Sequence, residues 1–153
     1  MKPFSKNIIF FDTEFTSLDP NIAELISIGL VKPDGEELYL ELEYKGEPSE
    51  FVVKNVLPSL SGHKISHIEA VKKVKKFVGN TKPYIVGYIN QDDVMYWNKL
   101  YMSVNQASPE NNPFNSGNPF NLVSIDFATI LFMSGINPED YYFGDKNDFF
   151  EKN

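Results

Sequence analysis

The stretch Ile8-Ile9-Phe10-Phe11-Asp12-Thr13-Glu14-Phe15-Thr16 constrains the fold more than any other part of the chain. Four consecutive β-branched and aromatic residues predict a strand, and an unbroken apolar run predicts one buried on both faces. The run ends on two carboxylates one residue apart. Strand alternation sends Asp12 and Glu14 to one side and Thr13 to the other. Two acids side by side at the end of a buried strand repel each other and resist desolvation. A hard divalent cation between them relieves both costs, and carboxylate oxygens suit Mg²⁺ or Mn²⁺. Taken alone, the spacing also fits an ordinary strand end that opens a polar loop.

The rest of the chain supplies the context. Ser17-Leu18-Asp19-Pro20-Asn21 is turn-rich. Leu25 to Val31 reads as a second buried strand, and Lys32-Pro33-Asp34-Gly35 as a tight turn. Glu37 to Glu43 alternates, with Leu38, Leu40 and Leu42 expected inward and Glu37, Tyr39, Glu41 and Glu43 outward. These strands predict an antiparallel three-stranded meander with the third strand at the sheet edge. A short helix is expected within Ser49–Leu57, and loop from Ser59 to Lys64. Ser66-His67-Ile68-Glu69 matches a capping box. Ile68, Val71, Val74, Phe77 and Val78 follow at helical spacing, opposite Lys72, Lys73, Lys75 and Lys76, and Gly79 ends the helix. The lysines read as a solvated helix face.

Tyr84 to Ile89 is a further continuous apolar strand, with Asn90-Gln91-Asp92-Asp93 at its end. Val94 to Val104 continues as a helix with Met95, Tyr96, Leu100 and Met102 available for packing. Asn105 to Asn121, rich in Asn, Pro, Ser and Gly, is a long loop. Leu122 to Ile125 is a last short strand, Asp126 opens a helix over Phe127–Met133, and Asn137-Pro138-Glu139-Asp140 starts another. A meander followed by alternating strands and helices gives an α/β fold with a mixed sheet flanked by helices.

Length and composition narrow the classes further. A chain of 153 residues is one domain's worth. With 13 Phe and 8 Tyr, much of the core should be aromatic. No cysteine is present, which removes disulfides and thiolate metal sites. The first residues carry no apolar leader, and no run approaches the ~18 apolar residues of a membrane span. A cytoplasmic protein with no membrane partner is therefore expected. The net charge of −7 argues against a broad nonspecific grip on duplex nucleic acid. That objection weakens where acids hold metal ions, since the ions reverse the local sign.

In the mixed topology the strands ending at Phe15 and Ile89 lie side by side and parallel. Asp12, Glu14 and Asp93 then approach one another, and three carboxylates can share one metal cluster. Two divalent ions about 3.5–4 Å apart can activate a water and stabilise the leaving oxygen of a phosphodiester.

Asp12-Thr13-Glu14-Phe15-Thr16 resembles the first motif of the DEDD 3′→5′ exonucleases, in the DnaQ-like branch of the ribonuclease H-like superfamily. Val86 to Trp97 resembles the second, where the metal aspartate precedes bulky residues three and four positions on: Asp93 with Tyr96 and Trp97. Segments Glu24–Gly29, Asn55–Pro58 and Ile125–Thr129 resemble small bacterial and phage exoribonuclease-like members, so the likeness covers almost the whole chain. It implies a ribonuclease H-like fold, a single exonuclease-like domain over residues 1–153, and Asp12, Glu14 and Asp93 as catalytic metal ligands for two Mg²⁺ or Mn²⁺ ions. It also implies that Thr13, Phe15, Thr16, Leu18 and Asn90 line the pocket for the 3′ end of a single-stranded RNA or DNA.

The family's third motif, a His or Tyr followed about five residues later by an Asp, has no match after Met133. His63 and His67 lie far upstream, and Asp145 and Asp148 lack a preceding His. The expectation is a chain that stops before its final helix. A second reading is a catalytically inactive nucleic-acid-binding or scaffold module with the same fold, and a third is endonucleolytic cleavage. The half-exposed strand Glu37–Glu43 makes a homodimer conceivable through edge pairing.

Overall fold

A computed structural model describes residues 4–105 and 117–141. Most of the predicted Asn105–Asn121 loop, and the polar end with Asp145 and Asp148, lie outside the described residues.

The sequence pattern yields strands β1 (Ile8–Phe15), β2 (Leu25–Val31) and β3 (Glu37–Leu42), then helix α1 (Glu50–Asn55) and a single 3₁₀ turn. Next come β4 (Lys64–Ile65), α2 (His67–Val78), β5 (Tyr84–Gly87), α3 (Gln91–Val104), β6 (Ile125–Asp126) and α4 (Phe127–Met133), with a last 3₁₀ turn over Pro138–Tyr141. The six strands form one sheet in the order β4-β3-β2-β1-β5-β6. β1, β2 and β3 make the expected antiparallel meander. β5 joins β1 in parallel, as the topology argument required, and β6 joins β5 in parallel. This is a mixed α/β sheet flanked by helices, of the ribonuclease H-like kind.

α2 and α3 pack on one sheet face, where Ile9 and Phe11 of β1, Ile28 and Leu30 of β2, and Leu40 and Leu42 of β3 form the main core. Its centre is aromatic: Trp97 is fully buried, with its ring 6.4 Å from Phe11, 5.2 Å from Phe120 and 6.0 Å from Tyr101. The edge-on pairs of Trp97 with Phe11 and Phe120 add to the area they bury. α2 starts at Ser66, whose hydroxyl accepts from the amide of Glu69, and ends at Gly79 with φ 67°. A side chain at that φ would be strained, so glycine stops the helix.

Five sequence expectations are corrected. β1 is buried on one face only: Ile9, Phe11 and Thr13 are inside, but Phe10 is 46% exposed. A run of apolar residues hides this, because alternation is written in geometry and not in residue type. Glu41 points outward by alternation yet is 3% exposed, because Ser61 and Gly62 fold over it and donate their amides to its carboxylate at 2.6 and 2.8 Å. The same loop adds β4, so β3 is not the sheet edge. β6 is shorter than Leu122–Ile125 suggested, with Leu122 and Val123 exposed. Along the helices, Ile68, Met95 and Met102 are exposed, while Ala70 and Trp97 take their places in the core.

Candidate active site

The site is built where β1 and β5 end. Asp12 and Glu14 leave β1 on the face opposite Ile9, Phe11 and Thr13, as alternation demands. Asp12 stands cross-strand from Gly29, and Glu14 from Ser27.

Asp93 is delivered by a constrained turn. β5 runs so close to β1 at Gly87 that a Cβ there would meet the Phe11 carbonyl oxygen and the Asn90 Cβ at 2.8 Å. Ile89 then takes φ 52°, a conformation costly for a β-branched residue and held only by its surroundings. Two contacts hold it: the Ile89 amide donates to Asp126 Oδ1 at 2.8 Å, and Asn90 Nδ2 donates to the Ile125 carbonyl at 3.0 Å. Asp126 also caps α4, accepting from the amides of Ala128 and Thr129. Burial works to raise its pKa, but the Thr129 hydroxyl and these amides outweigh it and hold the carboxyl below its ordinary value.

The turn launches α3 so that Asp93, in its first turn, is 7% exposed beside β1. Asp93 Oδ1 accepts from the Thr13 amide at 2.9 Å and the Thr13 hydroxyl at 2.6 Å. One turn on, Tyr96 packs on Phe15 with ring centroids 4.6 Å apart, and its hydroxyl reaches the Ser17 carbonyl at 3.4 Å. Lys99 Nζ donates to the carbonyls of Pro20 and Ala23 at 3.2 and 3.1 Å. α3 therefore clamps both the end of β1 and the loop after it. Sequence reading missed this clamp and the Ile89 strain; the Gly87-Tyr88-Ile89-Asn90 run after an apolar strand was the available signal.

Acidic charge acts between the candidate acids: Asp12 and Asp93 on Glu14, and Asp12 on Asp93. Burial raises the Asp93 carboxyl to about 6; the Thr13 hydrogen bonds oppose the rise and the charges of Asp12 and Asp92 add to it. Burial also raises Glu14, with further contributions from Asp12 and then Asp93. Asp12 is raised by burial alone, although its residue remains open to solvent on the uncovered face. Each acid thus bears a cost of desolvation, and Glu14 and Asp93 a further cost of proximity; carboxylate oxygens suit a hard divalent cation. Among the described residues no three acidic or histidine side chains converge into a ready-made metal cage.

The residues expected at a nucleotide pocket are distributed unevenly. Leu18 is 71% exposed, and Phe15 is half-buried against Tyr96. Thr16 is 1% exposed, its hydroxyl accepting from the Glu24 amide at 3.0 Å. Thr13 and Asn90 are buried and engaged as above. Beside Asp12 the open sheet face forms a groove of about 460 Å³ lined by Phe10, Gly29, Val31, Val86, Tyr88 and Phe127.

No family model matches the chain. No curated protein matches it either. Solved structures do. The apo form of exonuclease I superposes with a TM-score of 0.60 at 12% identity, over 81% of this chain and 29% of that one. The fold is shared with exonuclease I. The zinc-bound form of the E. coli exonuclease I complex with single-stranded DNA gives a TM-score of 0.61 at 12% identity, over 84% and 29%. A product-bound form gives 0.60 at 13%, over 81% and 30%. The chain spans less than a third of the length of these structures. Among the described residues no helix is long and apolar enough to cross a membrane.

Proposed function

We propose that the chain is a metal-dependent 3′→5′ exonuclease domain acting on the 3′ end of single-stranded RNA or DNA. What supports this reading is Asp12 and Glu14 at the end of β1 and Asp93 at the start of α3, acids whose charges act on one another, with Asp12 lining an open apolar groove. The exonuclease I fold supports it, since those structures include complexes with single-stranded DNA and a zinc-bound form.

In this reading Asp12, Glu14 and Asp93 hold Mg²⁺ or Mn²⁺. When bound, the ions supply an acidified water and counter-charge for the leaving oxygen. The protein's own work is positioning. The Ile89–Asn90 turn and the Thr13 bonds fix Asp93, while the Tyr96 and Lys99 contacts hold the Phe15–Ala23 segment against α3. Leu18, on that segment, and the edge of Phe15 offer apolar surface to a terminal base, and stacking on an aromatic tolerates any base. Thr16 and Asn90 shape the pocket through the backbone they hold.

A 5′-labelled single-stranded RNA and its DNA counterpart, incubated with Mn²⁺, test the proposal. A descending ladder from the native chain that disappears in Asp12→Ala is the expected result. No ladder from either protein on either substrate would overturn the catalytic reading. It would favour the inactive binding module, which the absence of a preformed three-acid cage among the described residues already allows.

A further inference from the structure

Thr13 stands between the two acids but points the other way, into the packed face, and is 6% exposed. Both of its hydrogen-bond donors go to the same atom. The hydroxyl reaches Asp93 Oδ1 at 2.6 Å and the amide reaches it at 2.9 Å, across 80 residues of sequence. Tyr96 and Trp97, one turn further along, are buried and fix where α3 lies against β1. Backbone placement alone leaves the carboxylate free to rotate about its last torsion, which is broad for aspartate. Two donors on one oxygen remove that freedom. Among the described residues, none donates a hydrogen bond to Asp93 Oδ2.

We propose that Thr13 is a positioning residue: by holding Asp93 Oδ1 with its hydroxyl and amide, it reserves Oδ2 for a divalent cation. The inference rests on the metal-dependent reading above but assigns Thr13 a role distinct from nucleotide contact. A ligand's orienting partner matters because it spares the metal the cost of ordering the carboxylate. Valine has nearly the shape of threonine and keeps the amide bond, but lacks the hydroxyl. Serine keeps both donors.

The test is Mn²⁺ affinity, measured by calorimetry on the full chain, for the native protein, Thr13→Val, Thr13→Ala and Thr13→Ser. Melting in EDTA checks that each variant is folded, and the alanine variant repeats the hydroxyl deletion with a smaller side chain. Loss of the hydroxyl is expected to weaken Mn²⁺ binding about tenfold or more, as loss of an orienting partner does at other metal sites. Serine is expected to restore affinity to within about twofold of native, since the orienting donors are intact. A purely structural threonine would not give that rescue. Native-like affinity in both Thr13→Val and Thr13→Ala would overturn this inference and leave the metal reading standing. So would a serine variant as weak as valine. No Mn²⁺ binding by the native chain would overturn the metal reading, and this inference with it.

Discussion

The two faces of the sheet use the same strands for opposite purposes. On the helix-covered face, β1 contributes Ile9, Phe11 and Thr13 to a core closed by Trp97, Tyr101 and Phe120. On the other face, one residue out of phase, β1 presents Phe10, Asp12 and Glu14. There Phe10 is 46% exposed, Tyr39 56% and Phe127 43%, and Asp12 stands at the rim of an apolar groove. Packing supplies stability on the first face. On the second, burial raises Asp12, and burial with neighbouring acidic charge raises Glu14, the kind of perturbation that clusters at functional sites. Thr13 joins the two, since from the packed face it holds the buried Asp93, whose charge acts on Glu14 of the open face.

Three perturbations sharpen or break this contrast. The largest should come from the packed face. Trp97→Ala is expected to lower unfolding free energy by about 3–5 kcal/mol, as for other buried aromatics. Phe10→Ala, on the same sheet but the open side, should cost about 1 kcal/mol or less. Equal losses in urea unfolding would mean that the open face is packed in solution.

Glu41 gives an intermediate effect at the margin between the faces. Burial works to raise its pKa, but amide and hydroxyl donation from Ser61, the Gly62 amide and the nearby charge of His63 lower it overall. A lowered pKa means that ionised Glu41 stabilises the fold above its unfolded pKa. That contribution is lost as pH falls through the lower folded value. Glu41→Gln should therefore cost about 1.5–3 kcal/mol at pH 7, the range of a hydrogen bond to a charged group. The cost should shrink in acid, with faster amide exchange at Ser61 and Gly62. A cost independent of pH would contradict the assignment.

The smallest effect has the opposite sign. Asp93 titrates at about 6 in the fold, above its unfolded value, so its ionised form penalises folding. The penalty is present above pH 6 and relieved as pH falls toward the unfolded pKa. Asp93→Asn should stabilise the metal-free chain at pH 7 by on the order of 1 kcal/mol, since a tenfold change in an acid's ionisation constant corresponds to about 1.4 kcal/mol before relaxation. With Mn²⁺ present the order should reverse, because the native acid gains a cation and the amide does not. A variant less stable than native in EDTA would mean that the Thr13 bonds, and not desolvation, dominate there.

Much of this arrangement was legible in the sequence. The apolar run into Asp12-Thr13-Glu14, the Pro33–Gly35 turn, the Ser66 capping box and the Asp126 cap each act locally, and each lies where its residues indicate. The parallel pairing of β1 with β5 followed from connectivity. What escaped depends on partners distant in the chain. Nothing near Phe10 says which face α3 will cover. Glu41 is buried by amides that arrive 20 residues later. Leu122 and Val123 look like strand yet stay exposed, and pairing begins only at Ile125. Asp93 was readable as an acid at the start of a helix, but its tie to Thr13 was not, because the bond exists only once α3 lies against β1.

The central claim, that the acids at the end of β1 form a divalent-cation site, is tested most directly by the melting temperature of the native chain and of Asp12→Ala with and without Mn²⁺. A bound cation stabilises the folded state by mass action. The account predicts a rise in the native chain that grows with Mn²⁺ concentration and is absent from Asp12→Ala. No rise in the native chain, or an equal rise in both, would contradict it.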